Sequence, residues 1–275
     1  MYFRKVRILK VLLFVFILGQ FSYAQLVSDR LGGISSTPVV PRNGLQVELG
    51  QMLNLNADYA SPLLRNSTKI LLRQGLSEKH EVRLGYNYEI AESSFAYNYE
   101  WLSAGVKLEV ANYEKLHISA IATWGLDLRT ITSSNGPRYF LELSAPWEYH
   151  FSNKLNLRSE IRFNHQYEQS DINLSLNRKL SQQLALEAGL INNFFLAKRG
   201  HNGDRPYWHE FSYLNAALQA NFGSVAIDVS VMRPVATGAD QLEPSDGFVF
   251  QAGVSIYFPH QPWNKNKVKV APEVY

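Results

Sequence analysis

The sequence predicts an all-β protein, a transmembrane antiparallel up-and-down β-barrel of about 12 strands, and three observations support this prediction. Segments of about 9–12 residues alternate between apolar and polar side chains, which is the two-residue period of a β-strand. The connections between these segments are alternately short and long, as in barrels with short turns at one end and long loops at the other. The polar faces carry full charges, which a packed water-soluble core could not hold unpaired.

Six strands show the alternation directly. They begin with LQVEL at residue 45, EVRLGYNYEI at 81, LSAGVKLEV at 102, LNLRSEIRF at 155, VAIDVSV at 225 and FVFQAGVSIYF at 248. Twelve strands in all are predicted to begin near residues 45, 68, 80, 101, 116, 138, 155, 171, 184, 211, 225 and 247. Closing these strands into a barrel would satisfy every backbone hydrogen-bonding group, as a lipid environment requires.

The remaining strands are delimited by their connections. Tight turns are predicted at residues 77–79, 112–114, 152–154, 181–183 and 223–224. Long polar connections are predicted at residues 54–67, 91–100, 129–137, 165–170, 195–210 and 234–246. Aromatic residues near the strand ends, including Trp101, Trp124, Tyr139 and Tyr149, indicate two girdles at the membrane interfaces. A soluble, exported β-protein is the alternative fold.

The two ends of the chain lie outside the predicted barrel, which spans residues 44–258. Residues 1–24 are typical of a secretory signal peptide, with a basic start, an apolar run (VLLFVFIL) and a small-x-small cleavage site before Gln25. The apolar run is far shorter than the roughly 20 residues of a membrane-spanning helix. We expect residues 25–43 to form a periplasmic arm and residues 259–275 a basic periplasmic tail.

Composition excludes several classes of protein. The chain has 275 residues and no cysteine, which excludes disulfides, Cys-ligated metals and a thiol nucleophile. Four of the 27 basic residues lie in the first 24 residues, which hold no Asp or Glu. The rest of the chain therefore carries 23 basic against 24 acidic residues, a net charge of −1. A nucleic-acid partner has no electrostatic support.

A family resemblance is concentrated in residues 29–85. Asp29-Arg30, Pro41, GLQVELG at 44–50, LRQGLS at 72–77 and EVRLG at 81–85 resemble the outer-membrane "transporter" family, which is also labelled as a component of the MetA pathway of phenol degradation. The resemblance implies a single-chain barrel that moves small, often hydrophobic compounds. Leu31 stands where the family has Pro, and here a tail follows Phe258.

The polar face of the predicted strands provides candidate binding residues that line the lumen. They are Arg73, Arg83, Lys107, Glu109, Arg158, Glu160, Arg162 and Asp228. Pairs of opposite charge could cross-link the interior and keep it partly closed, or the arginines could form a selectivity ladder for anions. Twelve strands lie between small, filled barrels and the open 16–18-stranded porins. The path is therefore predicted to be narrow or occluded.

Enzyme chemistry is not indicated. The sequence has no nucleotide-binding loop, metal motif or nucleophile elbow, so we expect no catalytic residue, cofactor or metal. Two His–Ser pairs, His117 with Ser119 and His150 with Ser152, are better explained as polar lumen lining. A loop at residues 194–211 could fold over the barrel mouth, and its His201, Asp204, His209 and Glu210 match no standard metal site.

The sequence therefore predicts a narrow channel or transporter for small, hydrophobic or aromatic molecules in a bacterial outer membrane. Its expected partners are outer-membrane lipid, the barrel-assembly machinery and a small-molecule solute. The alternatives are a lipid-modifying barrel enzyme and a structural barrel with no transport activity.

Overall fold

The computed structural model of the chain describes residues 34–55, 66–90, 99–128, 138–165, 169–197, 207–237 and 248–259. These residues form 12 strands: β1 (Leu45–Leu55), β2 (Asn66–Gly75), β3 (His80–Ile90), β4 (Tyr99–Asn112), β5 (Leu116–Asp127), β6 (Arg138–Ser152), β7 (Leu155–Asn164), β8 (Gln169–Lys179), β9 (Leu184–Ala197), β10 (Tyr207–Phe222), β11 (Val225–Thr237) and β12 (Phe248–Phe258). Every strand begins within four residues of its predicted start. Within the described ranges, no helix is long and apolar enough to cross a bilayer.

The strands form one closed barrel. Each strand pairs with its neighbours in the chain, and β1 closes the barrel by pairing antiparallel with β12, from Leu45 opposite Phe258 to Leu55 opposite Phe248. Closure leaves no unpaired sheet edge, so backbone donors and acceptors are paired around the whole wall. The predicted fold class, an antiparallel up-and-down barrel of 12 strands, is confirmed.

The two ends of the barrel differ in their connections. At the end that we call the turn end, tight turns join β2 to β3, β4 to β5, β6 to β7, β8 to β9, and β10 to β11. Gly223 occupies the last of these turns with φ of 67°, a backbone conformation that glycine adopts without steric cost. β1 also begins at the turn end and β12 finishes there. At the opposite end, which we call the loop end, the connections between strands include residues outside the described ranges.

The outward face of the wall is apolar. Leucine, isoleucine and valine side chains project from it along most strands, with examples such as Leu84, Leu102 and Val110 half exposed or more. Outward aromatic side chains gather near both ends, as in the stacked pair Trp124 and Tyr139, whose ring centroids lie 5.3 Å apart. This arrangement is typical of interfacial girdles.

The prediction that Trp101 lies in an interfacial girdle is wrong. Trp101 is only 7% exposed and faces the barrel interior, where its ring meets Phe140 edge-on at 5.3 Å. The physical reason is strand alternation, because Trp101 lies an even number of residues from Lys107 and therefore shares its face of β4. Gly125 leaves the space that the Phe140 ring occupies, since a Cβ at that position would collide with the ring.

The inward face is largely polar and charged. Residues 34–41, which we call the lumen segment, also lie inside the barrel. Within this segment, residues 34–37 and Val40 are buried. The predicted periplasmic arm thus includes a part that enters the interior. The predicted signal peptide, residues 198–206 of the predicted mouth loop and residues 260–275 of the predicted tail lie outside the described residues.

Candidate functional site: the turn end of the lumen

The lumen segment enters the barrel through a tight turn beside β2. Asn43 adopts φ of 62° in this turn, its N–H donates to the Gly75 carbonyl at 2.8 Å, and the Gly44 N–H donates to the Pro41 carbonyl at 2.8 Å. A Cβ at Gly75 would collide with the carbonyl oxygens of Val40 and Pro41. The missing side chain at Gly75 therefore lets the backbone of the segment lie directly against the wall.

The first part of the segment contacts the strands on either side of the barrel closure. The Val40 N–H donates to Glu81 Oε2 at 2.8 Å, while the Val40 side chain packs with Ala226 of β11 and Tyr257 of β12. Arg73 Nη2 of β2 donates to the Pro38 carbonyl at 3.1 Å. The segment is thus fixed on both sides of the β1–β12 seam.

The middle of the segment is held by donors from β4 and β5. Lys107 Nζ donates to the Ser36 carbonyl at 2.5 Å, to the Pro38 carbonyl at 2.9 Å and to Ser36 Oγ at 3.2 Å. Ser119 Oγ donates to the Thr37 carbonyl at 2.5 Å. Lys107 is fully buried, so its ammonium depends on these oxygens for the solvation that water would otherwise provide.

The deepest part of the segment reaches β6 and β7. Thr37 Oγ1 donates to Glu148 Oε2 at 2.9 Å, and the Ser35 N–H donates to Glu160 Oε2 at 2.9 Å. The segment therefore contacts every strand from β2 to β7, together with β11 and β12. A chain that contacts eight of the 12 strands crosses the lumen at the turn end.

An ion cluster on β1, β2 and β3 supports this contact surface. Arg73 Nη1 lies 3.0 Å from Glu48 Oε1, and Arg73 Nε lies 2.7 Å from Glu81 Oε1. Arg83 Nε lies 3.7 Å from the same Glu81 oxygen. All four side chains are buried, and hydrogen-bonded pairing is what makes buried charge tolerable.

A second ion cluster lies on β6 to β9. Arg158 of β7 reaches across β8 to Glu187 of β9, with Nη1 2.6 Å from Oε2. Arg162 Nη2 lies 3.0 Å from Glu160 Oε2, and the same guanidinium is 3.7 Å from Glu142 and 3.9 Å from Asp171. The cluster cross-links four neighbouring strands from the inside.

All eight predicted lumen residues lie on strands whose polar face turns inward. Arg73, Arg83, Lys107, Arg158, Glu160 and Asp228 are buried, Arg162 is partly exposed, and Glu109 is partly exposed at the turn end. The structure brings Arg158, Glu160 and Arg162 into one cluster and Arg73 and Arg83 into another. Lys107 instead donates hydrogen bonds to the lumen segment.

Sequence reasoning missed the acidic partners and the segment itself. The unpredicted acids are Glu48, Glu142, Glu148, Asp171 and Glu187. A signal was present for Glu48, Glu142 and Asp171, which alternate on the same face as Gln46, Ser144 and Asn173, whereas Glu187 has only Ala185 and Gly189 beside it on its face. Of the two interpretations of the charges, pairing describes the arginines of the two clusters, each of which lies within 4 Å of a carboxylate.

An apolar zone lies inside the barrel, closer to the loop end. Ile191, Tyr213, Met232 and Val249 form a buried cluster on β9 to β12, with Met52 of β1 packed against it. Tyr213 is only 1% exposed. The interior therefore combines charged side chains, which extend from the turn end up to Arg162 and Asp171, with an apolar sector on β9 to β12.

Neither predicted His–Ser pair is arranged for nucleophilic chemistry. The His117 ring contacts the His150 ring, with centroids 4.9 Å apart, while Ser119 donates to the lumen segment. Ser152 Oγ accepts from the Lys154 N–H in a turn, and the contact of Ser77 Oγ with His80 Nδ1 at 2.6 Å likewise closes the β2–β3 turn. These contacts are explained by turn and lumen structure.

Metal ligation finds no support in the described ranges, where no three His, Asp or Glu side chains converge. His201 and Asp204 lie outside these ranges, and the side chains of His209 and Glu210 are not described.

An apolar outer face, a charged interior and a closed meander of 12 strands are typical of outer-membrane β-barrels. Among solved structures, the COG4313 outer membrane channel from Pseudomonas putida F1 has a TM-score of 0.56 at 11% identity, over 81% of this chain and 98% of that one. The KdgM porin has a TM-score of 0.53 at 6% identity, over 78% of this chain and 99% of that one. The NanC porin has a TM-score of 0.52 at 10% identity, over 77% of this chain and 98% of that one.

At these identities the likeness establishes the fold. The structural neighbours are outer-membrane channels and porins. No family model matches the sequence, and no curated protein matches it. The resemblance to the MetA-pathway family stays a prediction from the residues alone.

Proposed function

We propose that the chain is a bacterial outer-membrane channel for small solutes, closed at its turn end by its own residues 34–41. The observation that carries this proposal is the path of the lumen segment, whose contacts run from Glu81 of β3 to Glu160 of β7 and back to Tyr257 of β12. Solute passage then requires the segment to move. By analogy with outer-membrane barrels, the turn end faces the periplasm.

The interior supports a solute with apolar character. Inside the barrel, the cluster around Tyr213 and Met232 is apolar, whereas the wall around the lumen segment carries charges and hydrogen-bonding groups. The side chains of the cluster are buried against one another, so a solute reaches them only when they separate. Small hydrophobic or aromatic compounds suit this apolar cluster.

The proposal is tested by single-channel conductance in planar bilayers. We expect the protein with residues 34–41 present to be silent, and the variant that lacks residues 34–41 to show discrete conductance steps. Val39→Ala, which leaves the described hydrogen bonds of the segment intact, is the matched control and should stay silent. Equal conductance with and without the segment would refute its role as a barrier.

The filled lumen also favours a second candidate, a structural barrel that never conducts. The same experiment separates the two, because a folded deletion variant without conductance supports the structural role. A lipid-modifying enzyme has no comparable support, since the serines of both predicted His–Ser pairs are engaged in structural hydrogen bonds.

A further inference from the structure

The wall at the turn end recognises the lumen segment mainly through its backbone. Five backbone atoms of the segment bond to side chains of the wall: Ser35 N, Ser36 O, Thr37 O, Pro38 O and Val40 N. Four of the five wall residues that make these bonds are charged, which makes the hydrogen bonds strong. Recognition of this kind depends on where N–H and C=O groups lie and only weakly on side-chain identity.

The wall groups follow a fixed order along the segment. Acceptors stand at the two ends, Glu160 for the Ser35 N–H and Glu81 for the Val40 N–H. Donors stand between them, with Lys107, Ser119 and Arg73 serving three successive carbonyls. A stretch of six residues that bends at its third and fourth positions, with free N–H groups at its first and sixth positions, matches this order.

Three features restrict the peptides that could bind in place of the lumen segment. Ile34 and Val40 are 1% and 2% exposed, so an apolar side chain is buried at each end of the stretch. Ser36 and Thr37 are small and fill buried positions beside Lys107 and Glu148. Pro38 has no N–H that would need a partner, and it lies with Thr37 in a bend of the segment, where its fixed φ limits the conformations of the free chain.

We propose that the turn end of the lumen is a peptide-binding site that is filled in cis by residues 34–40. The site would accept in trans a proline-containing peptide that bends at the proline and carries small polar residues between two apolar ones. This inference rests on the proposed function, because a free peptide can enter only when the tethered segment is displaced. A short tether gives the cis segment an effective concentration on the order of millimolar.

The test uses the variant that lacks residues 34–41 and a synthetic peptide with blocked ends and the sequence ISSTPVVP, which is that of residues 34–41. We expect the peptide to block the conductance of this variant reversibly and to leave the full chain unaffected at micromolar concentration. The all-D peptide has the same composition but cannot present its N–H and C=O groups in the same order, so it should not block.

Two further comparisons test which hydrogen bonds between wall and peptide hold the peptide in place. N-methylation at the position of Ser35 or of Val40 should weaken the block by about tenfold, because each removes one bond to a buried carboxylate. Lys107→Met in the deletion variant should also weaken the block by at least about tenfold. Lys115→Met, an exposed lysine in the β4–β5 turn, is the matched control and should leave the block unchanged.

Binding of a fluorescent peptide to the refolded barrel, followed by anisotropy, provides a readout that does not depend on conductance. A deletion variant that is silent but binds the L-peptide overturns the channel and leaves the peptide site supported. A conducting variant that binds the L- and D-peptides equally overturns the peptide site and leaves the channel supported. If the deletion prevents folding, Ile34→Asp/Val40→Asp, which places charges at the two buried apolar positions of the segment and leaves the wall unchanged, replaces it in both assays.

Discussion

Arg158 and Glu187 show how single residues hold charge inside this barrel. Their side chains are 5% and 0% exposed, and their closest charged atoms lie 2.6 Å apart across an intervening strand. Removing water from two charges is costly, and the attraction between them offsets that cost only while both are present. The pair therefore makes each residue dependent on the other.

At the residue scale, we expect Arg158→Leu to lower the free energy of unfolding by about 3 kcal/mol, because Glu187 would stay buried without its cation. The double variant Arg158→Leu/Glu187→Leu should recover most of the loss, since it removes both charges. Urea unfolding in lipid vesicles measures these changes, and Arg178→Leu, at an exposed arginine on the outward face of β8, is the control. A double variant as unstable as the single one would show that the pair does not act through charge compensation.

The lumen segment is the element that distinguishes this barrel from an open one. It has no regular secondary structure, and its position is set by bonds to side chains from six strands of the wall. Two glycines at the entry, Gly44 and Gly75, make the close approach possible, because added side chains would meet Tyr257 and the segment backbone respectively. The position of the lumen segment on the wall therefore depends on the absence of a side chain at Gly75.

At the element scale, we expect Gly75→Val to open the channel. The added side chain would collide with the Val40 and Pro41 carbonyls, so the segment must leave the wall or shift. Conductance steps like those of the deletion variant should appear in planar bilayers. Gln74→Val adds the same side chain to the neighbouring residue, which faces away from the lumen, and should stay silent. A silent but folded Gly75→Val barrel would contradict the expected displacement.

The strands were predictable from the sequence, whereas the lumen segment was not. In β7 the alternation alone assigns Arg158, Glu160 and Arg162 to one face, and the structure places all three in one interior cluster. Residues 34–41 have no periodicity, and their bonds join positions as far apart as Ser35 and Glu160, separated by 125 residues. Pairings over such distances depend on barrel closure, which local sequence patterns do not encode.

At the scale of the whole molecule, the interior carries more negative than positive charge. Among the described residues, the buried charged side chains comprise eight acidic residues (Glu48, Glu81, Asp127, Glu148, Glu160, Asp171, Glu187 and Asp228) and four basic ones (Arg73, Arg83, Lys107 and Arg158). The lumen segment donates hydrogen bonds to three of the acids, Glu81, Glu148 and Glu160. Its removal would leave these carboxylates facing the water of the open path.

We therefore expect the open channel to prefer cations, although the sequence also admitted an arginine ladder for anions. Carboxylate-lined constrictions favour cation passage, and each cluster arginine already has an acidic partner. The reversal potential of the variant without residues 34–41, in a potassium chloride gradient, should give a potassium permeability severalfold above that of chloride. Glu148→Gln should lower this ratio and Lys107→Gln should raise it, because they change opposite charges that both contact the segment. Chloride preference in the deletion variant would mean that the arginines, despite their partners, set the field along the path.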